Sequence, residues 1–387
     1  MPSHAQSLKS SLCKDRVRLK LLIAPDKFKG TLTADAAAQA IARGWRTARP
    51  QDQLDLVPLS DGGDGFGEVA ARLLQARPRR VKTIDAAHRP HFATWWFEPR
   101  TKTAIIESAN IVGLAMLPPG KFHPFELDTF GLGKVLQTIA RAGARRCWLG
   151  IGGSATNDGG FGLARVLGWR FFSKEGDALE HWTDLEKLDR IEPPLACIFA
   201  GELLVAVDVQ NKLLGPHGAT RVYGPQKGLK PSDFPKAERC LRRLAAVARK
   251  RLNSNAASAA GAGAAGGLGF GLVAFAGAKL CPGFQLLADQ TDFVRKLRQA
   301  DLVITGEGKI DRSTFMGKAT GEVARLCRQH RIPCIAFAGC AETTSNPKPS
   351  PFRQLHALTD LTTPTEAKTN AAHWLRQSVL GIAKSSR

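Results

Sequence analysis

Five polar or glycine-rich segments of this 387-residue chain each follow a short apolar run. Glycine lets the backbone approach a ligand closely, and lysines, amides and carboxylates are groups that bind phosphate or Mg²⁺. In open α/β sheets, ligands bind at the carboxyl ends of strands, which is where such segments stand. We therefore expect a site built from residues 25–31, 60–65, 152–160, 208–215 and 305–311.

The segment 152–160 has the most specific pattern, because a glycine pair stands at each end of it. A strand is predicted before it and a helix after it, so its backbone N–H groups could hold a phosphate at the helix N-terminus. The alternative is a tight turn with an Asx cap, but nine small or short polar residues in a row exceed what a turn needs. The residues predicted to bind phosphate or nucleotide here are Gly152, Gly153, Ser154, Thr156, Asn157 and Asp158, and Asp158 could also bind a metal ion.

The segment 305–311 follows the apolar run 302–304 and is predicted to be a loop. It brings two acids and a base together, Glu307, Asp311 and Lys309, which suits the handling of Mg²⁺ and phosphate. The alternative is a solvated loop with a local ion pair. Its place directly after a strand favours the functional interpretation.

Acids also mark the three remaining segments. Asp61 and Asp64 stand among three glycines, as in a metal site or in a helix N-terminal cap. Asp26 and Lys29 lie in the first segment, where a lysine could bind a phosphate or a carboxylate, or could simply be solvated. Asp208 opens the fourth segment. These residues are further candidates for substrate binding and catalysis.

The motif G-x-G-x-x-G of dinucleotide-binding proteins occurs at residues 261–266. It needs an apolar strand directly before it, and residues 253–257 do not form one. The hypothesis of a nicotinamide-dependent oxidoreductase is therefore weak. The P-loop motif and the protein-kinase signatures are absent from the sequence, so a kinase of either class is excluded.

The chain is strongly basic, with a formal net charge of +21 and an isoelectric point near 10.0. Such a charge could bind nucleic acid through its phosphates, or it could attract a small anion such as a nucleotide or a carboxylate. The basic residues form short clusters, and a single tyrosine does not favour a surface on which bases stack. We predict small-molecule anions as partners and no nucleic acid.

Eight cysteines are present without a C-x-x-C pair or a zinc-site spacing. Cys147, Cys197 and Cys334 stand in apolar runs, which predicts buried free thiols and a reducing compartment. No apolar run approaches the roughly 18 residues that a membrane span needs, so no membrane partner is expected. Residues 1–18 are polar and basic without an apolar signal core, and we interpret them as a flexible extension. The predicted location is cytoplasmic.

Strand, polar turn and helix alternate along most of the chain, which is typical of an α/β fold. The stretch 81–106 has alternating apolar residues and few helix signals, which indicates antiparallel or mixed strands. Other strands are predicted at 21–24, 54–59, 147–151, 203–207, 301–305 and 334–338. Helices are predicted at 33–48, 66–74, 129–142, 231–252 and 318–330, with a closing helix from residue 364.

Several sequence blocks stand in the same order as in a known family. They lie at 23–26 with 28–30, 61–63, 107–109 with 113–114, 151–160, 224–228 (Gly-Pro-Gln-Lys-Gly), 261–269, and 304–308 with 317–318. On these blocks, which span about residues 20–385, the chain resembles the bacterial glycerate kinase family.

The resemblance implies ATP-dependent and Mg²⁺-dependent phosphorylation of D-glycerate, usually to 2-phosphoglycerate. It also implies two α/β domains, one of them Rossmann- or flavodoxin-like and inserted into or interrupted by the other, with the active-site cleft between them. We predict a discontinuous α/β domain at 19–80 and 290–387, and a second α/β domain with mixed strands at 81–289.

Some residues depart from the family pattern. Lys27 stands where a small polar residue is usual, Asp64 replaces a Glu, and Lys309 replaces an Arg. Gln210 replaces an acid, which weakens a metal-binding role for the loop after Asp208.

Phosphoryl transfer requires alignment, charge neutralisation and a group that accepts the hydroxyl proton. The catalytic candidates are Asp208, Glu307, Asp311 and Lys29, and the metal candidates are Asp158, Asp208 and Glu307. The phosphates are assigned to the 152–160 segment and Lys309, and the substrate to Asp26, Lys29, Asp61 and Asp64. Glycerate and ATP are the expected partners, and no residue pattern sets the oligomeric state. The alternative function is a non-catalytic sensor of nucleotides or acidic metabolites on the same fold.

Overall fold

The computed structural model describes residues 18–342 and 350–385. Of the extension predicted at 1–18, only Arg18 falls within these ranges. The strands of the described residues are β1 (Lys20–Ile23), β2 (Gln53–Leu56), β3 (Arg77–Ile84), β4 (Pro90–Glu98), β5 (Thr103–Glu107), β6 (Arg146–Gly150), β7 (Arg170–Ser173), β8 (Leu188–Glu192), β9 (Glu202–Val207), β10 (Lys279–Pro282), β11 (Leu302–Ile310), β12 (Cys334–Ala341) and β13 (Gln354–Ala357). The α-helices are α1 (Ala34–Ala48), α2 (Phe66–Leu74), α3 (Ala109–Val112), α4 (Phe130–Arg141), α5 (Phe161–Val166), α6 (Ala219–Lys227), α7 (Phe234–Leu252), α8 (Ala264–Ala276), α9 (Gly283–Gln290), α10 (Phe293–Arg298), α11 (Ala319–His330), α12 (Pro364–Thr369) and α13 (Ala371–Ser385).

The first sheet is fully parallel and has the strand order β13-β12-β11-β1-β2. Successive residues of β1 point to opposite faces, so Leu21 and Ile23 pack with Trp45 of α1, while Leu22 packs with Phe293 of α10. Helices α1 and α13 cover one face, and α9, α10 and α11 cover the other. A parallel sheet buried on both faces is typical of the predicted α/β fold.

The second sheet is mixed and has the strand order β10-β9-β6-β5-β4-β3. Strands β5, β6, β9 and β10 are parallel, whereas β4 is antiparallel to both β3 and β5. This confirms the antiparallel strands predicted within 81–106, although the first of them already begins at Arg77. Helix α2 packs on one face against Trp96 and Trp148, and α4 and α8 pack on the other. A separate hairpin of β7 and β8 packs against α7.

The chain passes from the first sheet to the second between β2 and β3, and it returns to the first sheet between β10 and β11. The predicted division of the chain into a domain at 19–80 with 290–387 and a domain at 81–289 stays a prediction. The Rossmann- or flavodoxin-like character of one domain stays a prediction as well.

The segment 305–311 is not the loop that the sequence analysis predicts. Strand β11 runs on to Ile310, and Lys309 pairs with Cys340 of β12. Gly308 and Gly339 let the two strands continue side by side, because a Cβ on Gly339 would lie 2.5 Å from the carbonyl oxygen of Gly308. The prediction was wrong because this pairing depends on a strand that is distant in sequence.

Seven cysteines lie in the described residues, and all of them are free. Cys147 and Cys334 are buried as predicted, whereas Cys197 is exposed. The apolar run around Cys197 is irregular and precedes β9 instead of forming a strand. No helix in the described part of the chain is long and apolar enough to cross a membrane.

The loop at 57–65 carries the chain from the first sheet to the second and passes very close to strand ends. A Cβ on Gly62 would lie 2.7 Å from the carbonyl oxygen of Ala206, at the end of β9. A Cβ on Gly283 would lie 2.2 Å from the carbonyl oxygen of Asp61. Backbone therefore meets backbone where the two sheets come together.

We expect Gly62→Ala to lower the free energy of unfolding by more than Gly65→Ala does. Both glycines have a positive φ, 98° and 85°, so each alanine adds backbone strain of about 1–2 kcal/mol. Only the Cβ at 62 also meets a backbone atom, since no atom of the described residues lies within 4 Å of a Cβ at 65. Urea unfolding of the three proteins measures the difference, and equal losses would show that the close approach imposes no constraint.

Candidate active site

A cleft of about 900 Å³ opens where the carboxyl ends of strands from both sheets face each other. All but three of the residues predicted for the site line this cleft. The predicted residues in its wall are Asp26, Lys29, Asp61, Asp64, Gly152, Gly153, Ser154, Asp208, Glu307, Lys309 and Asp311. The three that it does not include are Thr156, Asn157 and Asp158.

Four carboxylates gather where β1, β2 and β9 end and where β11 continues beside them. Asp26 follows β1, and its backbone N–H donates to the carbonyl of Gly306 at 2.8 Å, which ties it to the neighbouring strand β11. Glu307 lies on β11, Asp61 follows β2, and Asp208 follows β9. Parallel strands of the first sheet and β9 of the second sheet thus bring together acids that are far apart in the sequence.

Burial raises the pKa of Asp26, Asp208 and Glu307. It raises the pKa of Asp208 to about 6, with Asp61 adding to the rise. It raises the pKa of Glu307 to about 7 against the opposing effect of Lys318, whose Nζ lies 4.0 Å from Oε2. Burial and the neighbouring Asp61 raise the pKa of Asp26 well above its usual range. The cluster therefore holds protons at a pH where ordinary carboxyl groups have lost them.

These acids could bind Mg²⁺, because carboxylate oxygens are the ligands that this ion prefers. In the part of the chain that the structure describes, no group of three or more His, Cys, Asp or Glu side chains is arranged to hold a metal ion. Mg²⁺ in phosphoryl-transfer sites is usually bound by one or two carboxylates together with substrate phosphates, so a smaller set suffices. Glu307 is 6% exposed, and its Oε1 has no hydrogen-bond partner among the described residues. Such an oxygen suits a cation or a proton, and Asp208 lies in the same cleft.

Lysines also line the cleft. Lys27 donates from Nζ to the carbonyl of Asp64 at 2.7 Å. Lys309 is half-exposed; its Nζ lies 3.6 Å from Asp311 Oδ2, and its ion pair with Glu342 raises its pKa. The remaining lysines in the wall are Lys29, Lys227 and Lys318. The site therefore presents both signs of charge within one cleft.

The first half of the glycine-rich segment forms part of the cleft wall. Gly153 has a φ of 75°, and a Cβ there would lie 2.2 Å from Asp64 Oδ1, so this position favours glycine. The N–H of Gly152 donates to the carbonyl of Gly62 at 3.2 Å. Among described residues, the N–H groups of Gly153 and Ser154 have no acceptor. Those N–H groups are the donors that a phosphate would use.

The second half of the segment turns into the protein. Oδ2 of Asp158 accepts hydrogen bonds from the N–H of Thr129 at 3.0 Å, from its hydroxyl at 2.7 Å and from the N–H of Gly162 at 3.0 Å. Oδ1 accepts from the N–H of Gly160 at 3.2 Å. Asp158 is fully buried, so it supports the start of α5 and offers no oxygen to a metal ion in the cleft.

Asn157 and Thr156 are likewise buried. The amide of Asn157 donates to Thr220 Oγ1 at 3.2 Å, and the Thr156 carbonyl accepts from Lys227 at 2.6 Å. The structure thus does not bring Thr156, Asn157 and Asp158, which the sequence predicts to bind nucleotide, into the cleft wall. Sequence shows that the segment is small and polar, but not which of its side chains turn inward.

Among the titratable cleft residues to which the sequence analysis assigns no role are Glu107, Tyr223, Lys227 and Lys318. Glu107 ends β5, and its carboxylate accepts the N–H groups of Gly65 and Gly67, both at 2.9 Å, at the start of α2. Each except Tyr223 lies in a block that carries the family resemblance, which was the available signal. Their burial and direction come from tertiary packing, so no local pattern reveals them.

A second cavity of about 460 Å³ adjoins the cleft. Asp26, Lys27, Lys29 and Asp64 line both spaces. The second cavity continues past them towards Thr33 at the start of α1. Substrate groups could therefore extend from the cleft in this direction.

Comparison with known proteins decides the family. Residues 21–386 match the model of the glycerate kinase family. The chain belongs to the glycerate kinase family. It is 38% identical over 325 residues to a glycerate kinase of Halalkalibacterium halodurans, covering 82% of this chain and 85% of the relative. It is 35% identical over 329 residues to glycerate 2-kinase of Escherichia coli K12, covering 83% and 85%. A crystal structure of a Salmonella typhimurium LT2 protein, provisionally assigned as glycerate kinase 2, superposes with a TM-score of 0.81 at 32% identity, covering 95% of this chain and 98% of that one.

Family membership confirms the resemblance and the enzyme class that the sequence predicts, a kinase with an alcohol group as acceptor. The fold class is confirmed as a mixed α/β fold with parallel sheets. Residues 261–266 follow the short 3₁₀-helix Ala256–Ser258 and not a strand, so the oxidoreductase hypothesis also lacks its structural context.

We expect Asp158→Asn to lower the free energy of unfolding by about 1–3 kcal/mol. The N–H₂ group of the new asparagine would face a hydrogen-bond donor at a position where a carboxylate oxygen of Asp158 now accepts. Asp208→Asn is the control. Burial raises the pKa of Asp208, so its charge weakens the fold at pH 7, and its loss should cost less than about 1 kcal/mol. Urea unfolding measures both. An Asp158→Asn protein as stable as the wild type would contradict a structural role for that carboxylate.

Proposed function

We propose that this protein is an ATP-dependent glycerate kinase that phosphorylates D-glycerate to 2-phosphoglycerate. The observation that carries the proposal is the cleft in which acids from both sheets face a glycine-rich backbone with unused N–H groups. Phosphoryl transfer needs a proton acceptor, a phosphate-binding backbone and positive charge within a few ångströms of each other. The relative from Escherichia coli is named glycerate 2-kinase, which supports the 2-position.

The backbone at 152–154 would bind the transferred phosphoryl group. Asp208 would hold Mg²⁺ together with the phosphates of ATP, and the bound metal would neutralise their charge. Lys29 lies where the cleft and the second cavity meet, and it would bind the glycerate carboxylate. Asp26 and Asp61 would accept hydrogen bonds from the glycerate hydroxyl groups.

Glu307 would accept the proton of the attacking hydroxyl. Its pKa of about 7 places it where a general base works best at neutral pH. It lines the cleft, and its buried Oε1 has no hydrogen-bond partner among the described residues, so no donor holds that oxygen in a structural role. Lys318 at 4.0 Å keeps the deprotonated form populated.

The reaction is tested with a panel of hydroxy acids, ATP and Mg²⁺ in a coupled assay, followed by phosphorus NMR of the product. We expect turnover with D-glycerate and a phosphate ester at its 2-hydroxyl. Turnover with an ester at the 3-hydroxyl would contradict the proposed position. The alternative of a non-catalytic sensor predicts that ATP and glycerate bind without any turnover.

The base is tested by the pH dependence of kcat. Because Glu307 must be deprotonated to accept a proton, kcat should rise as the pH passes through about 7 and then level off. Glu307→Gln should lower kcat by roughly 100-fold or more and remove this rise.

Asp311→Asn serves as the control for that profile. Hydrogen bonds from Ser313 lower the pKa of Asp311, so Asp311 is already ionised across the measured range. The charge of Asp311 adds to the raised pKa of Glu307, so we expect this variant to keep the rise of kcat with pH but to shift its midpoint downwards. A Glu307→Gln enzyme with the wild-type midpoint would assign the proton to another group.

A further inference from the structure

Lys227 is a buried lysine that ends α6 and reaches the cleft wall. It is 6% exposed, and its Nζ donates to the carbonyl of Thr156 at 2.6 Å and to Ser154 Oγ at 3.3 Å. Ser154 Oγ in turn donates to the carbonyl of Ala265 at 3.1 Å. The ammonium is therefore held against the glycine-rich segment by neutral acceptors, with a third N–H left over.

No carboxylate of the described residues lies within ion-pair distance of Lys227 Nζ. Asp158, behind the segment, is the charge that acts on it, and this effect is smaller than that of burial. Burial lowers the pKa of Lys227 to about 7. A lysine in this position lacks a counter-charge, which a bound anion would supply.

The surroundings of Lys227 offer few other titratable groups. On its own helix, Tyr223 lines the same cleft, and across the cleft lies Asp208. Helix α8, which packs against α6, has no titratable side chain. Helix α7 contributes Glu238, whose pKa burial raises against the opposing charges of Arg221 and Arg242.

We propose that Lys227, together with the backbone N–H groups of Gly153 and Ser154, binds a phosphate group of the nucleotide and supplies the positive charge on the second-sheet side of the cleft. The proposal rests on the proposed function, because it assigns a residue to the phosphate position of that site. Three N–H donors from two directions suit a tetrahedral phosphate, whereas a planar carboxylate would use only part of the set.

Phosphate binding should carry a proton with it. Free Lys227 is mostly neutral at pH 8, because its pKa is about 7. An adjacent phosphate favours the charged ammonium and raises the pKa above 8. The protein should then take up close to one proton from solution as the phosphate binds.

The test is isothermal titration calorimetry at pH 8 with inorganic phosphate, ADP or D-glycerate, in buffers of different ionisation enthalpy. Lys227→Met removes the charge and keeps the side-chain length, and Lys250→Met on the exposed face of α7 is the matched control. We expect wild type and Lys250→Met to take up a proton with phosphate and with ADP. Lys227→Met should take up none and bind both at least ten-fold more weakly, with glycerate affinity unchanged.

The stability of Lys227→Met provides an independent check that it folds. The unfolded chain keeps Lys227 protonated up to about pH 10, whereas the folded chain releases that proton near pH 7. The wild type should therefore gain stability as the pH rises between these values, and Lys227→Met should lose that gain.

Three results would overturn the proposal. The first is an unchanged phosphate affinity in Lys227→Met, and the second is proton uptake that persists in that variant. The third is a loss of affinity in that variant for D-glycerate alone. None of these measurements depends on turnover. A wild-type protein that fails to phosphorylate glycerate would instead contradict the proposed function.

Discussion

The close approach of glycine backbones between the two sheets is the constraint on which the site depends. A Cβ on Gly152 would lie 2.5 Å from the Cα of Gly63, and a Cβ on Gly150 would lie 2.9 Å from the carbonyl oxygen of Gly62. Because no side chain separates these segments, the loop that follows β2 meets the strand ends of the second sheet at backbone distance. Asp61 of the crossing loop is thereby brought to Asp208 of the second sheet, and each affects the electrostatics of the cleft.

Burying this junction has an electrostatic consequence. The cleft is lined by seven carboxylates and five lysines, so acids outnumber bases there although the net charge of the chain is +21. The basic surface can attract anions from a distance, but the cleft itself does not neutralise them. An anionic nucleotide and an anionic hydroxy acid can occupy it together only with added positive charge, which is the chemical reason to expect Mg²⁺ beside the acids.

The sequence predicted what local patterns determine. Helix α2 begins and ends at the predicted residues, and the acids at strand ends reach the cleft, because apolar periodicity and glycine turns act over a few residues. The continuation of β11 through Glu307 could not be predicted, because it depends on pairing with β12. Nor could the inward turn of Asp158, because its partner Thr129 comes from another helix start.

The glycine-rich segment shows why one loop can bind a ligand firmly without covering it. Its second half is fixed in the interior by Asp158, and the amide of Asn157 holds it to Thr220. Its first half keeps N–H groups without acceptors among described residues, and Lys227 connects the halves through Ser154 and Thr156. A donor set that is already rigid loses little entropy when a phosphate binds, so more of the binding energy remains for alignment of the reacting groups. The buried polar residues do not touch the phosphate themselves. By holding the segment rigid, they determine how well its exposed backbone binds the phosphate.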